Sequence, residues 1–257
     1  MHLKIPPQIN QEELHIWWAN LREFDLAVPA LWAVLSPWEQ AQAEQCPSPR
    51  AKENYIIRRG MLRMLLASYI GQSPSGLNFT NGPHGKPELQ TRPDGNGVYF
   101  NLSHSADVAV YGFTGACPIG VDVECLHPVP HYEQLARDFF SPSEVEGLMS
   151  LPAEFRVKRF LDLWTRMEAL SKAVGDGLDD GPKADLRTPA WSETSGLAES
   201  SEGLNDFTGW FVRSFSPVPG YVASVAFRNP HLDVICRGTP GFFSGDLCPA
   251  RLAIPQN

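Results

Sequence analysis

Apolar residues recur at helical spacing in two long stretches of the chain, with β-like runs between and after them. Tyr55, Ile56, Leu62, Leu65, Leu66 and Tyr69 form one stripe. It predicts a helix from about Asn54 to Ile70 that Gly71 closes, with Arg58, Arg59 and Arg63 on its other faces. Phe155, Leu163, Met167, Leu170 and Val174 form a second stripe, which predicts a helix over Ala153–Val174 ended by Gly175. Ahead of it, Ser141-Pro142-Ser143-Glu144 has the form of a capping box, with serine as N-cap, proline at the first helical position and glutamate at the third. A short helix to about Ser150 should follow. Val98–Leu102, Val108–Thr114 and Val121–Glu124 read as strands. Gly209–Ser214 and Tyr221–Phe227 read as a hairpin around Pro217-Val218-Pro219-Gly220. Asn81 to Pro87 is rich in turn residues, and the polar stretch 176–208 reads as loop. From Asn229 onward no pattern is readable.

A long helix followed by strands thus occurs twice, over 54–114 and 153–227, and VAVYGFT resembles YVASVAF. The class this predicts is α+β, with a hint of two similar halves. Among 257 residues, 43% are hydrophobic, enough for a real core. A net charge of −8 argues against a nucleic-acid binder, so any anionic ligand must be met by local positive charge. The five cysteines are scattered without a Cys-x-x-Cys pair, which fits reduced thiols and a cytoplasmic location. The N-terminal stretch has no apolar signal core. The apolar run Leu26–Leu35 is broken by Pro29 and too short for a bilayer, so no membrane partner is expected.

Asp122 and Glu124 stand two apart in a strand-like run, which sends both carboxylates to one face. Glu168 and Lys172 stand four apart on one helix face. Brought together, three carboxylates would converge beside one ammonium and could seat a hard divalent cation holding a phosphorylated substrate. Ile119, Val121 and Val123 around the strand acids are apolar, and two acids on a largely buried strand repel unless a cation or base neutralises them. The alternatives are an acidic strand face in solvent and an ordinary surface helix pair worth roughly 0.2–0.5 kcal/mol. Asn101-Leu102-Ser103-His104-Ser105 ends a strand, either as a polar turn or as a phosphate contact through the Ser103 hydroxyl and the His104 ring. Lys86 lies on a rigid Gly-Lys-Pro turn. Arg58 and Arg59 are surface charges or a phosphate clamp. No Gly-x-Ser-x-Gly elbow of a serine hydrolase is present.

In this order, Arg59 in RRGMLRMLL, Gly85-Lys86-Pro87, Asn101-Leu102-Ser103-His104-Ser105, Gly120-Val121-Asp122-Val123-Glu124, Phe139-Phe140-Ser141-Pro142-Ser143-Glu144, and Trp164 with Glu168, Lys172 and Gly175 resemble a known family. It is the 4′-phosphopantetheinyl transferase superfamily, of the two-half type that serves surfactin synthetase. The match covers roughly residues 36 to 228. The resemblance implies two pseudo-symmetric α+β halves, each a small, mostly antiparallel sheet packed with a long helix. Their bounds would be 1–115 and 116–230, with a tail over 231–257. It implies coenzyme A as donor, a serine of an apo acyl or peptidyl carrier protein as acceptor, and a monomer. By analogy Asp122, Glu124 and Glu168 would hold Mg²⁺. Arg59, Lys86, Pro87, Ser103, His104 and Lys172 would bind coenzyme A, with Glu168, Lys172 and Asp122 as the catalytic set. Two features depart from a simple fit. Met167 stands where the family usually has lysine. The chain is also as acidic as a carrier protein, with Arg156, Lys158 and Arg159 as the local basic cluster. A coenzyme A-binding protein with little turnover, a metal-dependent phosphohydrolase and an α+β interaction module remain as alternatives.

Overall fold

The computed structural model describes residues 9–81, 87–89, 97–175, 209–238 and 250–251. Strand β1 (Glu13–Asn20) is followed by a 3-10 turn and the short helices α1 (Val28–Trp32) and α2 (Pro37–Glu44). Then come α3 (Pro49–Ile70), β2 (Phe79–Asn81), β3 (Pro87–Leu89), β4 (Tyr99–Ser105), β5 (Val108–Thr114) and β6 (Gly120–Cys125). The second part contains α4 (Tyr132–Phe139), α5 (Pro142–Ser150), α6 (Ala153–Val174), β7 (Phe211–Phe215), β8 (Tyr221–Phe227), β9 (Asp233–Gly238) and β10 (Ala250–Arg251).

Among the described residues the main sheet has the order β10-β9-β1-β5-β4, with β1 and β9 parallel and the other pairs antiparallel. A second sheet has the order β6-β8-β7 and is antiparallel throughout. The layering follows from which side chains each face buries. Ile57, Met61, Leu65 and Leu66 of α3 pack on Trp17, Ala109, Tyr111 and Phe113 of the main sheet. The other face of that sheet, with Leu14, Ile16, Val110 and Val234, packs on Val121, Val123, Ala223 and Val225 of the second sheet. Ala169, Leu170 and Ala173 of α6 then cover Val212 and Ala226 on the far side. Two sheets therefore lie face to face between two long helices, an α+β fold with one 22-residue helix per sheet.

The predicted helices form for the predicted reasons. The hydroxyl of Ser141 caps α5, and the Glu144 carboxylate returns the bond. Gly175 ends α6 in the left-handed region at φ +90°, as Gly71 ends α3 at φ +66°. Helix α3 starts five residues before the predicted start at Asn54, because its first turn lacks the apolar stripe and begins at the Ser48 cap. Strand β1 escaped the sequence reading. It lies inside the sheet with both faces largely covered, so it shows no polar alternation. Strand β9, in the stretch with no readable pattern, finds its partner in β1 more than two hundred residues earlier. The loop predicted over 176–208 lies outside the described residues.

One contact sets how closely the second sheet meets α6. A Cβ on Gly120 would overlap the Ala169 carbonyl oxygen and the Ala173 amide nitrogen, both backbone atoms of α6. Strand and helix thus touch main chain to main chain at the start of β6, and glycine is the residue that permits it.

A buried polar chain sits on the other side of the molecule. The Trp17 indole donates to the Tyr69 hydroxyl at 2.7 Å, the hydroxyl to His15 Nδ1 at 2.7 Å, and His15 Nε2 to Glu13 at 3.2 Å. Burial together with the nearby Arg237 charge lowers the imidazole pKa to about 4, and it is the neutral ring, with its proton on Nε2 toward Glu13, that gives the bonds this direction.

Two outcomes are expected. Gly120→Ala should lose about 3 kcal/mol or more of unfolding free energy in urea melts, because rigid backbone atoms on α6 cannot give way. His15 is neutral in the fold and titrates at the ordinary 6.5 when unfolded, so its contribution is complete above that pH and fades as pH falls toward about 4. His15→Gln should flatten the stability curve across that window, measured as urea midpoints.

Candidate functional site

The site forms where the edge of the main sheet meets the edge of the second. Strand β6 pairs with β8 along one edge, and its other edge faces β4. Side chains rather than a strand close that second edge. Asn101, Ser103 and Ser105 stand at period two on β4 and project to the same side. Asn101 Oδ1 accepts the Val121 N–H at 2.8 Å. Ser105 Oγ accepts the Cys125 N–H at 3.1 Å and donates to Glu124 Oε2 at 2.7 Å. Between them, Ser103 Oγ donates to Asp122 Oδ1 at 2.8 Å. The seam thus satisfies exposed main-chain donors of an edge strand while gripping both of its carboxylates.

Helix α6 brings the positive charge. Lys172 Nζ donates to Asp122 Oδ1 at 2.6 Å and to Ser103 Oγ at 3.2 Å. The Asp122 side chain is 6% exposed and that of Lys172 31%. Burial pushes the Asp122 carboxyl above its usual range, against the opposing pull of the Lys172 charge and the Lys172 and Ser103 hydrogen bonds. Burial likewise raises Glu124, with the Asp122 charge adding to it. Burial raises Glu168 first, and the charges of Asp122 and Glu124 raise it further while Lys172 pulls down. The charges of the strand acids thus reach Glu168 on the helix.

The remaining predicted residues fall in three places. Arg59 binds Glu39 of α2 through Nε at 2.9 Å and Nη2 at 2.7 Å, and lies over the Phe79 ring. Glu39 is buried, also takes Arg63 at 2.6 Å, and caps α2 through Ser36. Arg59 is thus an ion-paired residue of the α2–α3 interface rather than a bare clamp. His104 is exposed on β4, and strand alternation puts it on the opposite face from Ser103. Pro87 opens β3, and Lys86 lies outside the described residues. Of the basic cluster, Arg156 donates to the Leu151 and Met149 carbonyls and Arg159 pairs with Asp162. Met167 is buried at 2% exposure, so the position that carries lysine in the resembled family here joins the packed side of α6.

Reading the sequence missed Asn101 as a clip between β4 and β6 and Ser105 as a contact of Glu124. Their signal was present: polar residues at 101, 103 and 105 match the period of the acids at 122 and 124.

The donor set suits a hard divalent cation. Among the described residues no three His, Cys, Asp or Glu side chains already stand close enough to enclose a metal. Yet Asp122 Oδ2 is buried without a hydrogen-bond partner, and beyond the effect of burial the Asp122 charge raises the pKa of both Glu124 and Glu168. A buried, unsatisfied carboxylate oxygen beside two more acids is a position that a cation satisfies. The Lys172 ammonium occupies the other oxygen of Asp122.

The 4′-phosphopantetheinyl transferase superfamily model matches residues 118–226, which span β6, α4, α5, α6 and β7 and most of β8. The phosphopantetheinyl transferase HetI of Nostoc is 37% identical over 200 residues, covering 73% of this chain and 84% of that protein. A Synechocystis relative provisionally named for the same activity is 42% identical over 154 residues. That match covers 60% of this chain and 62%, just under two thirds, of the relative. Sfp of Bacillus subtilis, also named a 4′-phosphopantetheinyl transferase, is 29% identical over 174 residues, 66% of this chain and 71% of that one. No helix among the described residues is long and apolar enough to cross a membrane.

Removing the ammonium should expose the charge imbalance. Lys172→Met leaves a buried Asp122 carboxylate unpaired and should cost about 1–3 kcal/mol near pH 7. The deficit should shrink as pH falls, because Asp122 can then take up a proton, which its raised pKa favours. Urea melts of both proteins across the acid range check the sign.

Proposed function

We propose that this chain, which belongs to the 4′-phosphopantetheinyl transferase superfamily, moves the phosphopantetheine arm of coenzyme A to a serine of an apo acyl or peptidyl carrier protein. Adenosine 3′,5′-bisphosphate leaves. The supporting observation is the buried junction of Asp122, Ser103 and Lys172, with one Asp122 oxygen unsatisfied and Glu124 and Glu168 coupled to it by charge.

The carrier serine is a weak nucleophile and must lose its proton as its oxygen bonds to the phosphorus that bears the pantetheine ester. Glu168 is the acceptor for that proton, directly or through one water. As the new P–O bond forms, the bond to the bisphosphate breaks and negative charge gathers on the departing oxygens. Lys172 lies beside Asp122 to meet that charge, having reached Ser103 and Asp122 from α6. Asp122, Glu124 and Glu168 would hold Mg²⁺. When bound, it supplies positive charge to the pyrophosphate oxygens. Ser103, His104, Lys86, Pro87 and the N–H groups of Arg59 beyond those on Glu39 grip the nucleotide end. A single chain supplies every residue named, so a monomer suffices. Cys46, Cys117, Cys125 and Cys236 are free thiols, in keeping with a cytoplasmic setting.

Incubation with coenzyme A, Mg²⁺ and a panel of apo carrier proteins tests this reading by intact mass. The expected result is a carrier gain of one phosphopantetheine and an equal yield of the bisphosphate. Asp122→Ala and Glu168→Gln should each lower the rate about a hundredfold or more. Coenzyme A binding with no mass gain on any carrier would instead make the chain a binder. Phosphate release from coenzyme A without a carrier would make it a phosphohydrolase.

A further inference from the structure

We propose that Ser105 is a positioning residue, whose hydroxyl holds the Glu124 carboxylate in the orientation needed to ligate the divalent cation. The inference rests on the metal site proposed above and adds a member to it that does not touch the metal.

Three observations carry it. First, both hydrogen-bonding roles of the hydroxyl are in use and their directions are fixed. Ser105 Oγ accepts the Cys125 N–H at 3.1 Å, so its own proton goes to Glu124 Oε2 at 2.7 Å. One carboxylate oxygen is tied, and the other is left for a ligand.

Second, the hydroxyl stands on a clamped piece of backbone. Ser105 ends β4 at a two-residue turn in which Ala106 has φ +47°. The next residue, Asp107, accepts from Arg22 and Asn54 through its side chain and from the Leu21 N–H through its carbonyl. A donor on such a turn has little freedom, which is what orienting a carboxylate requires.

Third, Glu124 needs restraint. It is half-buried near the end of β6 and repelled by the Asp122 charge. Without the Ser105 bond, nothing among its described hydrogen bonds keeps it turned inward.

The neighbours on β4 make the claim separable. Ser103 shares its carboxylate with Lys172, so its loss disturbs two contacts at once. Asn101 clips the same two strands, and among the described residues its side chain bonds to main chain, at Val121.

The experiment uses Mn²⁺ alone as the probe, with affinity read by the paramagnetic resonance of the free ion. Wild type, Glu124→Gln, Ser105→Ala, Ser105→Thr and Asn101→Ala are compared at one pH, each with its melting temperature. Ser105→Ala should weaken Mn²⁺ binding about tenfold or more, and Ser105→Thr should restore it. Asn101→Ala should lower the melting temperature while leaving Mn²⁺ affinity near wild type. If Glu124→Gln weakens binding and Ser105→Ala does not, the positioning role is wrong and the metal site stands. If Asn101→Ala weakens it as much as Ser105→Ala, the effect belongs to the strand seam and the role is again wrong. If Glu124→Gln leaves Mn²⁺ affinity unchanged, the metal-ligand reading itself fails.

Discussion

The site depends on a stretch of bare backbone. At Gly120 the start of β6 rests directly on the α6 main chain near Ala169 and Ala173, closer than any side chain would allow. That contact sets the distance between the strand carrying Asp122 and the helix carrying Glu168 and Lys172. Asp122 lies two residues further along β6, on the face turned to the helix. Lys172 can therefore reach it with its stem along the helix and its head on the carboxylate. A side chain at position 120 would hold the two elements apart and open the ion pair.

The second constraint is electrostatic. Burying Asp122 and half-burying Glu124 and Glu168 opposes their ionisation, so negative charge on these acids works against itself. The Lys172 ammonium relieves part of it, and the serine hydroxyls of β4 relieve more. The polar groups that close the open edge of β6 thus also hold the acids apart from water and in fixed directions. An arrangement of this kind gives up some stability to hold charged groups in fixed positions, which is what the proposed cation and phosphate site requires.

The rest of the fold supports this junction from a distance. The α2–α3 interface is held by a buried glutamate between two arginines, Glu39 with Arg59 and Arg63, which braces the outer helix against the main sheet. The hydrophobic layer between the sheets presses β6 against β5, so that Gly112 must itself be bare to admit Val121. The carboxylates therefore stand on a strand packed from both sides.

Local features of the chain determined much of this. The capping box at Ser141, the glycine stops at 71 and 175 and the two apolar stripes each act within one helical turn, so α5, α6 and most of α3 could be read directly. The same holds for the acids at period two and for Glu168 and Lys172 on one helix face, which depend on side-chain direction within a single element. What the tertiary structure alone decided involves partners far apart in the chain. Strand β9 pairs in parallel with β1, Arg59 is taken by Glu39, and Met167 turns into the core. Asn101, Ser103 and Ser105 meet their partners only because the two sheets pack face to face and bring the edges of β4 and β6 together. Short-range periodicity records which way a side chain points. Which neighbour it finds there is settled by packing, and packing sums over the whole chain.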